Sequence, residues 1–147
     1  YFEPDVMVTL LCAVFSRSGD QVRMASAGHL PPILARPGQA AVPAEIVSDL
    51  LIGVPDVTAR HVTTVDFPAG ATFCLYTDGL VERRDQPIDD GIRKLCAAVP
   101  TGDPEVACGR VMAAMVDGMR TDDVALLIIH REAGQVPGSA ARAGGSA

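Results

Sequence analysis

This sequence predicts an α+β fold, an antiparallel-rich sheet with helices packed on its faces. Runs of β-branched and aliphatic residues dominate its first half, helical spacing appears only after Thr77-Asp78-Gly79, and a nearly continuous apolar run follows the helices. At 147 residues, one hydrophobic core is the expectation.

Val6 to Arg17 (VMVTLLCAVFSR) reads as a strand that ends in the turn formers Ser18-Gly19-Asp20. Gln21 to Ala27 alternates apolar and polar residues, as the half-buried return strand of a hairpin does. Gly28-His29-Leu30-Pro31-Pro32 breaks that pattern. Ile33 to Ala35 and Ala44 to Val47 are short strand candidates around Arg36-Pro37-Gly38, and Gly53-Val54-Pro55-Asp56 is a further turn. Val57 to Phe67 and Ala71 to Tyr76 flank Pro68-Ala69-Gly70 and are expected to form a second hairpin. One helix is expected around Ile92, Leu95 and Cys96. A second starts at Asp103-Pro104-Glu105 and carries Val106, Val111, Met112, Met115 and Met119 before Thr121-Asp122-Asp123 stops it. Val124 to His130 is apolar throughout, like a strand buried on both faces. From Arg131 onward the chain is small, polar and rich in Gly, Pro and Ser, so residues 133–147 are expected to be a flexible tail or linker after a domain at 1–132.

Hydrophobic residues make up 48% and charged residues 20% of the chain, enough apolar surface to oppose chain entropy. Aromatic residues are only 4%, so small aliphatic side chains must fill much of the interior by close packing. A net charge of -6 gives nucleic acid and anionic membranes no electrostatic attraction. The longest apolar run falls far short of the ~20 residues that cross a bilayer, and the start is not a signal peptide, so a cytoplasmic protein is expected. Cys12, Cys74, Cys96 and Cys108 have no C-x-x-C spacing. Two of them lie in apolar strand-like runs, where a buried thiol behaves as a small hydrophobe. The opening Tyr1-Phe2-Glu3-Pro4 reads as a start inside a longer frame.

The sharpest local feature is Leu75-Tyr76-Thr77-Asp78-Gly79-Leu80, an apolar strand ending in a carboxylate, followed by a glycine suited to a tight turn with positive φ. Taken alone, Asp78-Gly79 also reads as a plain turn. Asp122-Asp123 stands at the start of the last strand, and a solvated acidic loop is its plain reading. If the two strands are antiparallel neighbours, the end of one meets the start of the other and the carboxylates converge. A hard divalent cation relieves their repulsion. Two such ions can acidify a water and stabilise phosphoryl oxygens. Gly28 and His29 form a third feature, in which His29 serves either as a general acid or as a structural anchor. His61 and His130 have no partner motif and read as strand residues. The sequence carries no G-x-S-x-G, Walker loop or H-E-x-x-H.

Val8-Thr9-Leu10, Ala27-Gly28-His29-Leu30-Pro31-Pro32, Leu75 to Glu82 and Asp122 to Leu127 together, in this order and spacing, resemble the stage II sporulation protein E branch of the metal-dependent protein phosphatases, over Val6 to His130. The resemblance implies an antiparallel β-sandwich flanked by helices, of the phosphatase α-β-β-α type. It implies two Mn²⁺ or Mg²⁺ ions and a metal-activated water attacking a phosphoserine or phosphothreonine. It makes Asp78 and Asp122 the metal ligands and catalytic residues, Asp123 and Gly79 their supports, and Gly28 and His29 shaping or substrate-side residues. By the same analogy the partner is a phosphorylated protein, an anti-sigma-factor antagonist, and further domains belong to the same polypeptide. The family's upstream Gly-Asp motif has no counterpart here, so the N-terminal part of the domain is expected to be missing and the fragment inactive alone. The rival expectation is a non-catalytic phosphatase-like module that binds a phosphoprotein or regulatory partner.

Overall fold

The computed structural model describes residues 6–54, 59–116 and 123–133. Within them the strands are β1 (Leu10–Phe15), β2 (Gln21–Ala27), β3 (Ile33–Ala35), β4 (Val42–Pro43), β5 (Ser48–Asp49), β6 (Thr63–Asp66), β7 (Thr72–Tyr76) and β8 (Leu126–His130). The helices are α1 (Ile88–Ala98) and α2 (Pro104–Met115).

Two sheets form. β1 and β2 make the expected hairpin, with Leu10 opposite Ala27 and Phe15 opposite Val22. The far side of β2 is shared: β6 pairs antiparallel along Gln21 to Met24, and β5 pairs parallel along Ser26 and Ala27. The second sheet runs β4-β3-β7-β8, with antiparallel pairing throughout. Side chains alternate faces along each strand, which divides the interior into two layers. Val22 and Met24 of the first sheet meet Leu34 and Phe73 of the second, together with Phe67. Phe73 contacts both other rings of this layer, with centroids 5.0 Å from Phe67 and 6.5 Å from Phe15. On the opposite face of the second sheet, Ile33, Cys74 and Tyr76 pack under Leu95 of α1 and Val111 and Met115 of α2. This is a mixed α+β sandwich with helices on an outer face, as the resemblance implied.

The β6–β7 hairpin does not form. β6 belongs to the first sheet and β7 to the second, and Pro68-Ala69-Gly70 carries the chain across. β7 is buried on both faces, so it needs neighbours on each side and layers above and below. It finds them between β3 and β8. The property expected of Val124 to His130 therefore belongs to β7. β8 is an edge strand among the described residues, with Leu127 55% exposed, and it starts at Leu126. The strand expected at Ala44 to Val47 lies instead at Val42–Pro43, where the edge position tolerates a proline without an N–H. Of Val57 to Phe67, only Thr63–Asp66 is strand, and residues 57 and 58 lie outside the described residues. Pro55, Asp56 and Met119 lie outside them as well.

Cys12 faces outward from β1 and is exposed, whereas Cys74 is buried and its thiol is pushed up to about 12, chiefly by burial. Arg131 is not part of a loose tail. Its guanidinium donates to the carbonyls of Phe67 (2.7 Å) and Ser18 (3.4 Å), and its backbone bonds Gly70 and Ala71. Residues 134–147, most of the expected tail, lie outside the described residues. Among the described residues no helix is long and apolar enough to cross a membrane.

Candidate metal and phosphate site

The antiparallel pairing of β7 with β8 sets Tyr76 opposite Leu126. The end of one strand therefore meets the start of the other, as convergence of the two acidic motifs requires. One step further, Thr77 lies beside the segment Asp123–Ala125 and is bound to it three times. The Thr77 N–H donates to the Ala125 carbonyl (3.1 Å), the Ala125 N–H donates to Thr77 Oγ1 (2.9 Å), and that hydroxyl donates to the Asp123 carbonyl (3.2 Å).

Asp78 then opens a 3-10 turn over Asp78–Leu80. Its carbonyl accepts the N–H groups of Val81 (2.8 Å) and Glu82 (2.7 Å), and its Oδ1 accepts the Gly79 N–H (2.9 Å). Leu80 and Val81 are buried in the helix-side layer. Two apolar anchors thus hold the turn while the Asp78 carboxylate stays exposed. Gly79 is buried and sits within this turn without a positive φ, contrary to the expectation; its neighbours in the core, not left-handed backbone, mark its place. Of the two glycines in the site motifs, it is Gly28 that has a positive φ, at 66°.

Gly28 directly follows β2, and its N–H donates to the Asp49 carbonyl (2.8 Å). The next residue, His29, is held by the Ser26 hydroxyl on its carbonyl (3.0 Å) and by Thr9 Oγ1, 3.3 Å from its Nδ1. A shallow cavity of about 230 Å³ is lined by His29 together with Leu75, Thr77, Ala125 and Leu127. His29 therefore shares a surface with the segments that carry Asp78 and Asp123. Asp122 lies outside the described residues.

The carboxylates of Asp78 and Asp123 are oxygen donors of the kind that Mg²⁺ and Mn²⁺ take. Among the described residues no group of three or more His, Cys, Asp or Glu is close enough to hold a metal ion.

Two features of the site carry no motif in the sequence. The bonding of the Thr77 hydroxyl is one of them, although a hydroxyl at a strand end is a recognisable signal for a local cap. Asp49 and His61 form a pair, with Nδ1 2.6 Å from Oδ1 and the His61 N–H 2.7 Å from Oδ2. Neither residue carries a motif. His61 is not in a strand, whereas His130 is in β8 beside the Thr72 hydroxyl at 3.0 Å.

The family model for stage II sporulation protein E (SpoIIE) matches residues 1–132. Among solved structures, the RsbU and RsbW domains of a Mycobacterium tuberculosis protein superpose with a TM-score of 0.71 at 23% identity, covering 86% of this chain and 37% of that one. The Mn-presoaked phosphatase domain of the cell fate determinant SpoIIE from Bacillus subtilis superposes with a TM-score of 0.65 at 18% identity, covering 90% and 59%. The Mycobacterium tuberculosis serine/threonine phosphatase PstP/Ppp gives 0.50 at 16% identity, covering 84% and 60%. The chain thus spans less than two thirds of each of these structures. No curated protein matches it by sequence.

Proposed function

The chain belongs to the stage II sporulation protein E family, and on that premise we propose that it forms the C-terminal part of a metal-dependent protein serine/threonine phosphatase. The observation that carries this reading is the junction of the Thr77-Asp78 turn with the Asp123–Ala125 segment at one end of the β7–β8 pair. In this reading Asp78 and Asp122 hold the cations, and Asp123 supports them from the adjoining position. When bound, two Mn²⁺ or Mg²⁺ ions supply an acidified water and neutralise charge developing on the phosphoryl oxygens.

The protein's own groups do the rest. The buried anchors Leu80 and Val81 keep the Asp78 carboxylate in place before any ligand arrives, so ordering costs little on binding. His29 faces the same cavity as Thr77 and Ala125. It orients the phosphorylated side chain there, and its shaping role rests on Gly28, whose turn carries it. The substrate is a phosphorylated protein, by analogy an anti-sigma-factor antagonist, in the cytoplasm. The similarity to a chain that joins RsbU and RsbW domains supports both a protein partner and further domains. An additional carboxylate from outside residues 1–147 completes the site, which leaves this segment inactive on its own.

The test is Mn²⁺-dependent hydrolysis of a phosphoserine peptide by the full-length protein, with Asp78→Asn and Asp122→Asn beside it. Turnover is expected in the wild type and lost in both variants, with thermal unfolding of the metal-free proteins little changed, because each substitution removes one of several repelling carboxylates. A folded wild-type protein without turnover points instead to a phosphoprotein-binding module.

A further inference from the structure

Thr77 occupies the N-cap position of the 3-10 turn that starts at Asp78, with extended backbone at φ -90° and ψ 158°. A threonine there ordinarily accepts an N–H from the first turn of its own helix. Thr77 makes no such bond. Its hydroxyl is turned across the sheet instead, accepting the Ala125 N–H at 2.9 Å and donating to the Asp123 carbonyl at 3.2 Å. The local cap is supplied by Asp78, whose Oδ1 takes the Gly79 N–H. The hydroxyl thus uses both its donor and its acceptor capacity on one neighbouring segment.

We propose that Thr77 is a positioning residue whose hydroxyl clamps the Asp78 turn to the Asp123–Ala125 segment and so holds the two carboxylate-bearing segments at the spacing a divalent cation requires. The inference rests on the phosphatase reading above. Backbone pairing alone stops at Tyr76 opposite Leu126. Beyond it the strands are held by the Thr77 N–H and by this hydroxyl, and a valine would keep the first and lose the second. Groups that orient metal ligands typically change affinity by about 10- to 100-fold when removed.

The experiment compares full-length wild type, Thr77→Val and Thr77→Ser by calorimetric titration with Mn²⁺ and by amide hydrogen exchange of the metal-free proteins. Thr77→Val is expected to speed exchange at Ala125, leave Phe73 and Cys74 protected, and weaken Mn²⁺ binding about tenfold. Thr77→Ser, which keeps the hydroxyl, is expected to match the wild type in both. Mn²⁺ binding unchanged in Thr77→Val despite an unprotected Ala125 amide overturns the clamp alone, and so does exchange that spreads to Phe73 and Cys74. Weakened binding in Thr77→Ser does the same even where Thr77→Val does not fold. A wild-type protein that binds no Mn²⁺ overturns the phosphatase reading and the clamp with it.

Discussion

Asp49 and His61 are twelve residues apart in the chain, yet they determine how an acidic side chain behaves directly beside the Gly28-His29 turn. The side-chain hydrogen bond from His61, and after it the His61 backbone N–H, hold the Asp49 carboxyl below its usual 3.8. A carboxyl whose pKa is lower in the folded state contributes stability above the unfolded value, and that contribution fades as pH falls through the folded value. Carbon-detected titration of Asp49 is therefore expected to give a midpoint below 3.8, moving upward in His61→Ala. It moves only part of the way, since the backbone donor remains. An unmoved midpoint would show that the pair is not formed in solution. Gly28, just past the end of β2, is required on two counts. Its φ is 66°, and an added Cβ would stand 2.7 Å from Leu51 Cγ.

The elements around the site depend on close approach as much as on hydrophobic pattern. Gly91 lies in α1 where a Cβ would come 2.1 Å from the Val81 carbonyl oxygen, so the helix backbone rests directly on the residue that closes the Asp78 turn. Gly91→Ala is expected to destabilise the protein by about 1–3 kcal/mol despite alanine's better helix propensity, because backbone must shift to admit the methyl. Urea unfolding measures it, and an equal or higher midpoint would contradict the contact. The start of α2 was legible in Asp103-Pro104-Glu105 because capping is local; Asp103 does accept the N–H groups of Glu105 (2.8 Å) and Val106 (3.3 Å). The first hairpin was legible for the same reason. The β6–β7 crossing was not, since alternation records which face a side chain takes and says nothing about which strand lies alongside. The site divides in the same way. The Asp78 turn and the His29 turn announce themselves as local motifs, whereas the Thr77 clamp and the Asp49–His61 pair join residues far apart in sequence.

At the scale of the whole molecule, the two sheets are covered unequally. The outer face of β4-β3-β7-β8 lies under α1 and α2. The outer face of the first sheet presents Leu10 (48% exposed), Cys12 and Val14 (58% exposed) in alternate positions of β1, with no helix over them among the described residues. β1 pairs only with β2, so an apolar strip lies along a strand whose other edge is unpaired among the described residues. Such a surface invites association. Residues 1–147 produced alone are therefore expected to bind a hydrophobic dye and to self-associate, and the double substitution Leu10→Thr with Val14→Thr is expected to reduce both. Threonine has the β-branched shape that suits a strand, and both positions are already about half in solvent, so the thermal midpoint should move little. Dye fluorescence and sedimentation read the first effect, thermal unfolding the second. Equal dye binding by the double variant would place the adhesive surface elsewhere. The open β8 edge, where Leu127 is exposed, is then the next surface to substitute.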